Sequence, residues 1–412
     1  MEVMEGSATY TLTPAPVGEV VAPGYKQTEV GVIPEDWRVT SLAALADVRS
    51  GGTPNTVQAR FWDGDILWCT PTDITGLHGR KYLEDTARKI TTLGLRSSSA
   101  EIIPPQSVVM TSRATIGECA INRVSLATNQ GFKNFIPHDD VEVEFLYYLL
   151  LTQRQGFVSL CGGSTFLEIG KRQLASYTVS FPPSKAEQEA IAEALSDADA
   201  LIESMQQLIA KKRAIKQGAM QELLTGERRL PAFNGAWEVK RLGEVAHIKT
   251  GSRNNQDKVE DGEYPFFVRS ATVERIGGYS HDCEAILVPG EGDIGSIFHY
   301  IDGRFDVHQR VYAITRFSSD VLGKYVYLYM TVRFGAHAMQ NSVKATVDSL
   351  RLPTFQEFEI RLPPSVDEQT AIATVLSDMD AEIETLVTRL AKIRALKQGM
   401  MQVLLTGRIR LI

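Results

Sequence analysis

Apolar residues recur at alternating steps of three and four positions in two stretches of this chain, between residues 184 and 230 and between residues 364 and 412. This spacing is typical of a coiled-coil seam, where one face of a long helix packs against another helix. The seam residues of the first stretch are Ile191, Leu195, Ala198, Ile202, Met205 and Ile209. Those of the second are Ile372, Leu376, Met379, Ile383, Leu386, Leu390 and Ile393. Each stretch therefore predicts a helix of about 40 residues, or about 60 Å.

The two stretches are copies of one another. Residues 181–231 align without a gap to residues 362–412, and 30 of the 51 positions are identical. Each copy begins with two prolines and a serine, which favour a helix start, and ends with a glycine that favours a helix stop. The expected caps are Ser184 and Ser365, with Glu187 and Glu368 at capping-box positions and Gly226 and Gly407 after the helix ends.

The charges predict how these helices pair. Acidic residues dominate the first half of each copy, and lysine and arginine dominate the second half. A parallel pair would place like charges side by side, whereas an antiparallel pair places each acidic half beside a basic half. We therefore expect antiparallel packing. The alternative is two separate amphipathic helices, each packed on its own domain.

A second repeat lies upstream of each helix. Between residues 33–55 and 234–255, the residues Trp37, Val39, Leu42, Ala46 and Gly51 recur at an offset of 200 as Trp237, Val239, Leu242, Ala246 and Gly251. The repeated unit is therefore a globular domain followed by a helix. Short apolar runs between turn residues, such as FKNFIP (132–137) and SIFHYI (296–301), predict strands, and two longer runs at 142–151 and 322–330 predict helices. We expect an α+β fold with two similar domains of mixed strands and helices, separated by two long helices that pair as an antiparallel coiled coil. The predicted segments are an N-terminal disordered arm (1–24), a first domain (25–183), a first helix (184–230), a second domain (231–363) and a second helix (364–412).

Composition and charge narrow the class of protein. Hydrophobic residues make up 43% of the chain and charged residues 23%, which is ordinary for a globular protein. No apolar run is long enough to cross a bilayer, and no secretory signal is evident, so we expect a cytoplasmic protein without a membrane partner. The four cysteines are scattered and should be reduced thiols. More than half of the net charge of −7 comes from residues 1–35, which leaves the domains near neutral.

Catalytic motifs are weak in this sequence. Residues 290–295 spell GEGDIG, but the following segment predicts a strand rather than the helix that a dinucleotide site requires. The chain has no GxxxxGK[ST] phosphate loop and no clustered His, Asp and Glu set suited to a metal. We expect no catalytic residue and no metal site in this polypeptide.

Several distinctive short segments lie along the two halves of the chain. They are YKQTEVGVIPEDW (25–37), SGGTPN (50–55), CTPTDI (69–74), SRATIG (112–117), NQGF (129–132), AILVPGEGDIG (285–295) and HQRVYAI (308–314). Together with the two PPS…LLTG helices, they resemble the specificity (S) subunit of type I restriction–modification systems. The resemblance implies two target-recognition domains, each reading one half of a split DNA site. It implies that the helices set the distance between the half-sites and dock two methyltransferase subunits.

Candidate DNA contacts are polar and basic loop residues, because these reach base edges and phosphates. In the first domain they are Thr53, Asn55, Thr72, Arg80, Lys81, Arg113, Thr115, Asn129, Gln130 and Lys133. In the second they are Arg253, Asn254, Asn255, Gln256, Arg269, Ser270, Arg275, His308, Gln309 and Arg310. For each residue the alternative is a solvated loop side chain or a turn former.

The resemblance implies a non-catalytic subunit that binds an asymmetric, bipartite duplex DNA target. Its expected partners are double-stranded DNA, two methyltransferase (M) subunits and the restriction/translocase (R) subunits. S-adenosylmethionine, ATP and Mg²⁺ are expected on those partners, with no cofactor on this chain. Two alternatives remain: a stand-alone DNA-modifying enzyme, and a coiled-coil scaffold that does not bind DNA.

Overall fold

The structure is a computed structural model that describes residues 21–161, 167–341 and 349–411. Its described residues divide into two compact units. Unit 1 contains the residues up to Ser204 together with those from Leu390 onward, and unit 2 is Met205–Arg389. Each unit therefore combines one globular domain with part of each of the two repeated stretches.

The described domain of unit 1 is built from short strands. They are β1 (Tyr25–Thr28), β2 (Gly31–Pro34), β3 (Arg38–Ser41), β4 (Ala46–Ser50), β5 (Trp62–Cys69), β6 (Tyr82–Leu83), β7 (Lys89–Ile90), β8 (Ser107–Thr111), β9 (Cys119–Asn122), β10 (Ala127–Thr128), β11 (Phe132–Pro137) and β12 (Thr178–Phe181). A main sheet has the order β4-β11-β8-β9-β6, and a smaller sheet has the order β10-β5-β7. Strand β12 pairs antiparallel with β3, which joins the end of the domain to its beginning.

Helices pack against both sheets of unit 1. They are α1 (Pro71–Thr75), α2 (Thr92–Arg96), α3 (Val143–Thr152), α4 (Arg154–Ser159) and α5 (Lys171–Ala175). Helix α3 is rich in leucine and aromatic residues, and Phe145 and Tyr148 are fully buried against the apolar strand β8. This burial forms the main core of the domain.

Unit 2 repeats this plan with a larger sheet. Its strands are β13 (Glu238–Arg241), β14 (His247–Thr250), β15 (Tyr264–Phe267), β16 (Glu274–Ile276), β17 (His281–Pro289), β18 (His299–Val307), β19 (Val311–Thr315) and β20 (Glu359–Leu362). The sheet order is β14-β19-β17-β18-β15-β16, while β13 pairs with β20. The helices of this domain are α7 (Leu242–Val245), α8 (Gly323–Gln340) and α9 (Leu352–Gln356).

The two repeated stretches form the long helices. They are α6 (Lys185–Thr225) and α10 (Val366–Leu404). In unit 1 the start of α6, with Ile191 and Leu195, shares one core with Met401 near the end of α10. In unit 2 the end of α6, with Leu224, shares a core with Ile372 near the start of α10. The start of each helix thus packs with the end of the other, so the predicted antiparallel pairing is confirmed and every predicted seam residue is buried or half-buried.

Matching ion pairs join the helices in both units. Lys397 Nζ lies 2.6 Å from Asp199 Oδ1 in unit 1, and Lys216 Nζ lies 2.5 Å from Asp380 Oδ1 in unit 2. These four residues are equivalent at the offset of 181 that relates the two sequence repeats. The acidic halves therefore face the basic halves, as the charge pattern predicted.

The glutamates expected in capping boxes have a different role. The carboxylate of Glu187 pairs with Arg410 and that of Glu368 with Arg229, and both glutamate side chains are only 1% exposed. Burial of a carboxylate requires a partner for its charge, and the arginine that follows the opposite helix supplies it. The serine cap is confirmed at Ser365, whose hydroxyl accepts a hydrogen bond from Glu368 N.

Most elements predicted from periodicity are confirmed. The helices predicted at 142–151 and 322–330 are α3 and the first half of α8, and FKNFIP is strand β11. The strand predicted at 296–301 begins later, at His299, and no helix follows GEGDIG. The first described strand begins at Tyr25, and residues 1–20 of the predicted arm lie outside the described residues. Of the described helices, none has the length and hydropathy to span a membrane.

Candidate nucleic-acid interface

Four loops of unit 2 meet at one end of the six-stranded sheet. His308 N donates to Phe267 O at 3.0 Å, which joins the turn between β18 and β19 to the end of β15. Gly290 N donates to Arg310 O at 2.9 Å, and Gly251 N donates to Val311 O at 3.2 Å. We name residues 251–256, 268–270, 290–293 and 308–310 loop cluster 2.

Unit 1 has the same backbone arrangement. Asn129 N donates to Cys69 O at 3.0 Å, Ser112 N to Gly131 O at 2.7 Å, and Gly51 N to Phe132 O at 3.3 Å. Each bond has its counterpart in unit 2 at the matching sequence position. We name residues 51–56, 70–73, 112–117 and 129–131 loop cluster 1.

One glycine in each cluster permits this close approach. A Cβ atom at Gly51 would collide with the carbonyl oxygen of Asn129, and a Cβ atom at Gly251 would collide with that of Val307. Only glycine allows two backbones to lie so close together. The shared SGG and TGS segments therefore shape the loops, and the residues around them are left to vary.

In loop cluster 2 one carboxylate holds two arginines. Glu291 lies 2.5 Å from Arg310 Nη1 and 3.3 Å from Arg269 Nη1, and both arginine side chains are at least half exposed. His308 lies behind them, with Nδ1 accepting a hydrogen bond from Arg310 N at 3.0 Å. Burial lowers the pKa of His308, and the positive charges of Arg269 and Arg310 lower it further. The imidazole is therefore a neutral support for the turn.

The neighbouring loop of cluster 2 presents amides and a third arginine. Arg253 Nε donates to the buried carboxylate of Asp306 at 2.9 Å. Gln309 Nε2 donates to Asn254 Oδ1, and Asn255 and Gln256 lie exposed beside them. Ser270 follows Arg269, with its hydroxyl donating to Thr272 O at 3.0 Å. These side chains offer the donors and acceptors that read base edges.

In loop cluster 1 the side chains differ. Arg113 Nε pairs with Glu168 at 2.8 Å and remains 46% exposed. The hydroxyl of Thr53 donates to Gln130 Oε1, and Asn129 Oδ1 accepts from Gly131 N at 2.8 Å. Thr115 is half-buried. Asn55 and Thr72 are exposed, the latter on α1 directly after the end of β5.

Four candidates lie outside the two clusters. Lys81 is 9% exposed, and its ammonium lies 2.7 Å from both Glu144 and Ser196. It therefore ties the domain to α6, and we remove it from the proposed DNA contacts.

The other three also bond within the protein. Lys133, on β11, is buried behind Arg113 with its ammonium 3.2 Å from Ser112 Oγ, and burial lowers its pKa. Arg80 and Arg275 are exposed but donate to nearby backbone carbonyls. Lys133 is removed from the proposed contacts as well, because its ammonium is buried.

Sequence reasoning missed the carboxylates of both clusters. Glu168, Glu291 and Asp306 set the positions of the exposed arginines, but the sequence candidates were confined to basic, amide and hydroxyl residues. Glu291 could have been found, since it occupies in GEGDIG the position of Arg113 in SRATIG. Glu168 is far from Arg113 in sequence, so only the fold could reveal that pair.

Metal-binding and thiol groups are the other candidates for chemistry in the described part of the chain. No group of three or more His, Cys, Asp or Glu side chains suits a metal ion in this part of the chain. Burial raises the pKa of the Cys69 and Cys119 thiols, so neither is an activated nucleophile. What the clusters can do chemically is hydrogen-bond and attract an anion.

Comparisons with known proteins identify relatives in sequence and in fold. The type I restriction enzyme MjaIX specificity subunit of Methanocaldococcus jannaschii is 30% identical over 375 residues, covering 82% of this chain and 86% of its own. The crystal structure of a type I restriction–modification S subunit from M. genitalium matches with a TM-score of 0.59 at 15% identity, covering 89% of this chain and 96% of that one. A chain from a structural study of complex assembly and conformational transition of the type I R-M system matches with a TM-score of 0.58 at 17% identity, covering 92% and 99%.

The family model for the type I restriction modification DNA specificity domain matches twice, at residues 34–211 and 234–395. Each matched segment contains one loop cluster and the start of one long helix. The solved structures, being under 25% identical, support the fold alone. The repeated family match and the relative at 30% identity establish that this chain belongs to the specificity-subunit family of type I restriction–modification systems.

Proposed function

We propose that this chain binds a bipartite duplex DNA target, with one half-site on each loop cluster. The observation that carries the proposal is that the same set of backbone hydrogen bonds occurs in both loop clusters, whereas the side chains on those loops differ. The equivalent hydrogen bonds hold the loops of both clusters in the same way, and the different side chains on those loops would select different bases. The target is therefore asymmetric.

The chemistry of the exposed groups supports this reading. Arginine can bond guanine O6 and N7, asparagine and glutamine can bond adenine, and threonine can bond either. Exposed guanidinium groups such as that of Arg113 also attract phosphates, which would add affinity that falls as salt rises. Neutral domains suit a subunit that obtains part of its phosphate affinity from its partners.

We further propose that α6 and α10 dock two methyltransferase subunits, and that restriction subunits join that assembly. The family supports this step, as does the subject of the complex-assembly study. S-adenosylmethionine, ATP and Mg²⁺ would bind those partners, and this chain would carry no chemistry of its own. The assembly would act in the cytoplasm.

Mapping of methylated adenines tests the proposal. The chain is co-expressed with its cognate methyltransferase subunits, and genomic adenine methylation is sequenced. A split, asymmetric motif that disappears when this chain is omitted is expected. Methylation without any defined motif would favour a scaffold that does not read DNA.

A second assay separates the enzyme alternative. The purified chain alone is incubated with mixed DNA and either S-adenosylmethionine or Mg²⁺. No methylation and no cleavage are expected. Turnover by this chain alone would contradict the proposal and favour a stand-alone enzyme.

A further inference from the structure

Arg253 and Asp306 form an ion pair that differs from the other pairs in the loop clusters. Arg253 Nε lies 2.9 Å from Asp306 Oδ2. The arginine side chain is 46% exposed, whereas the aspartate side chain is fully buried. Asp306 thus lies in the protein interior, and Arg253 reaches the surface of loop cluster 2.

The aspartate is held rigidly. Its Oδ1 accepts a hydrogen bond from Ser280 Oγ at 2.7 Å and another from Val307 N at 2.8 Å. Asp306 also lies on β18, where it pairs with Phe266 of β15. A buried carboxylate with both oxygens bonded has one orientation, so it fixes the arginine that pairs with it.

The backbone of Arg253 is fixed as well. Its carbonyl accepts a hydrogen bond from Gln309 N at 2.8 Å, and its own N–H donates to Val307 O at 3.3 Å. A flexible arginine loses rotamer freedom when it binds a ligand. Arg253 has already lost much of that freedom in the folded protein.

The atom used in the pair determines which donors remain. Asp306 takes the Nε–H of Arg253, so the outer edge of the guanidinium, with its two terminal nitrogens, is the part that is presented outward. Two parallel N–H groups match the O6 and N7 acceptors of guanine in the major groove. By contrast, Arg269 and Arg310 each use a terminal nitrogen, Nη1, in their pair with Glu291.

We propose that Arg253 reads a guanine in the half-site bound by unit 2, with Asp306 as its positioning residue. This inference rests on the proposed DNA-binding function. Unit 1 has no matching pair, because the equivalent positions are Thr53 and Ala127. The guanine contact therefore belongs to one half of the target only.

The experiment uses the full chain assembled with its methyltransferase subunits. The half-site of unit 2 is the half that changes when residues 231–363 are exchanged for those of another specificity subunit. Methylation rates are then measured on duplexes that carry each base at each position of that half. The variants are Arg253→Lys, Asp306→Asn and the double variant, with Thr53→Ala as the matched control in unit 1.

The unmodified complex should require guanine at one position of the unit 2 half-site. Arg253→Lys keeps the positive charge but loses the paired donors, and should reduce the preference for guanine there about tenfold to a hundredfold. Asp306→Asn should lower the preference for guanine at the same position, while the salt dependence of DNA binding stays unchanged. The double variant should have the same preference for guanine as Arg253→Lys to within about a factor of two, because the two residues act as one unit. Thr53→Ala lies in loop cluster 1 and should leave the base preference at every position of the unit 2 half-site unaltered, whatever its effect on the unit 1 half-site.

A unit 2 half-site without guanine, or one still read fully by Arg253→Lys, would overturn the inference while leaving the proposed function intact. If Asp306→Asn impairs assembly but not base preference, the aspartate is structural and its positioning role is refuted. Arg253→Lys still decides the guanine contact in that case. An unmodified complex without any defined motif would overturn the proposed function, and this inference with it.

Discussion

Loop clusters 1 and 2 have equivalent backbone hydrogen bonds but carry opposite charges at one equivalent position. Position 113 in cluster 1 is an arginine that pairs with Glu168, whereas the equivalent position 291 in cluster 2 is a glutamate that pairs with two arginines. The backbone hydrogen bonds around both positions are equivalent. The fold therefore tolerates opposite charges at one place, provided that a partner compensates them.

The two long helices and the residues that anchor them, here called the scaffold, instead carry the same residues at equivalent positions. Glu187 and Glu368 each pair with an arginine beyond the end of the other helix. Gln188 Oε1 accepts a hydrogen bond from Glu142 N, directly before α3, and Gln369 Oε1 accepts one from Leu322 N, directly before α8. Residues that hold the helices are thus repeated, while residues at the loop clusters differ. This contrast separates positions that build the protein from positions that distinguish its two halves.

The largest expected effect comes from exchanging one domain. Residues 231–363 are replaced by the matching segment of another specificity subunit, and methylated adenines are mapped in the assembled complex. One half of the motif should change completely and the other should not, because the segment ends at the repeated helices. A change in both halves would contradict independent reading by the two units.

Removal of a scaffold arginine should cost the most stability of any single substitution considered. Arg410→Ala leaves the carboxylate of Glu187, which is 1% exposed, without its cation, and should lower the free energy of unfolding by about 3–5 kcal/mol. Urea unfolding measures the change. Arg229→Ala should destabilise in the same direction, since it removes the equivalent pair.

Arg228 provides the matched control for the scaffold prediction. It neighbours Arg229, but its pair with Glu222 is largely exposed. Arg228→Ala should change the free energy of unfolding by less than about 1 kcal/mol. An equal loss for Arg228→Ala and Arg410→Ala would show that burial of the glutamate is not the cause.

A smaller effect is expected at the loop clusters. Arg310→Ala should weaken binding of the cognate site by about 1–3 kcal/mol if the side chain contacts a base, and the loss should be confined to one position of the unit 2 half. A phosphate contact would instead weaken all sequences alike and reduce the salt slope by about one. Binding titrations at several salt concentrations distinguish these outcomes.

Arg113→Ala is the counterpart of that variant in unit 1. It should affect the other half-site, because its loop belongs to cluster 1. Unchanged affinity and unchanged salt slope for either variant would remove that arginine from the interface.

The smallest effect tests a difference between the scaffolds. Arg410 also pairs with Asp36, whose counterpart in unit 2 is Ala236. Hydrogen bonds from Arg410 lower the pKa of Asp36 below its ordinary value of 3.8, so the ionised form stabilises the protein at neutral pH. Asp36→Asn should cost less than about 1 kcal/mol, since the carboxylate is 57% exposed.

The pH dependence of that variant follows from the sign of the shift. The stability supplied by Asp36 is present above its unfolded pKa and is lost as the pH falls through the lower folded pKa. The difference between the unmodified protein and Asp36→Asn should therefore shrink below about pH 4. A difference that stayed constant down to pH 2 would exclude the ion pair as its source.

The sequence alone determined the repeat, the long helices and their antiparallel pairing. These features depend on local periodicity and on charge order, which are readable along a single segment. It also identified most of the side chains in both clusters, because the loops follow strands with recognisable apolar patterns. Arg253, Arg310 and Arg113 are examples.

Only the tertiary structure decided which of those side chains are available and what holds them. Lys81 and Arg80 are adjacent in sequence, yet the ammonium of Lys81 lies against Glu144 while Arg80 is exposed. Arg253 and Asp306 are 53 residues apart in sequence, and they meet because strands β14, β15 and β18 end close to one another. Burial and ion pairing depend on atoms brought together from distant segments, and no local pattern in the chain records that proximity.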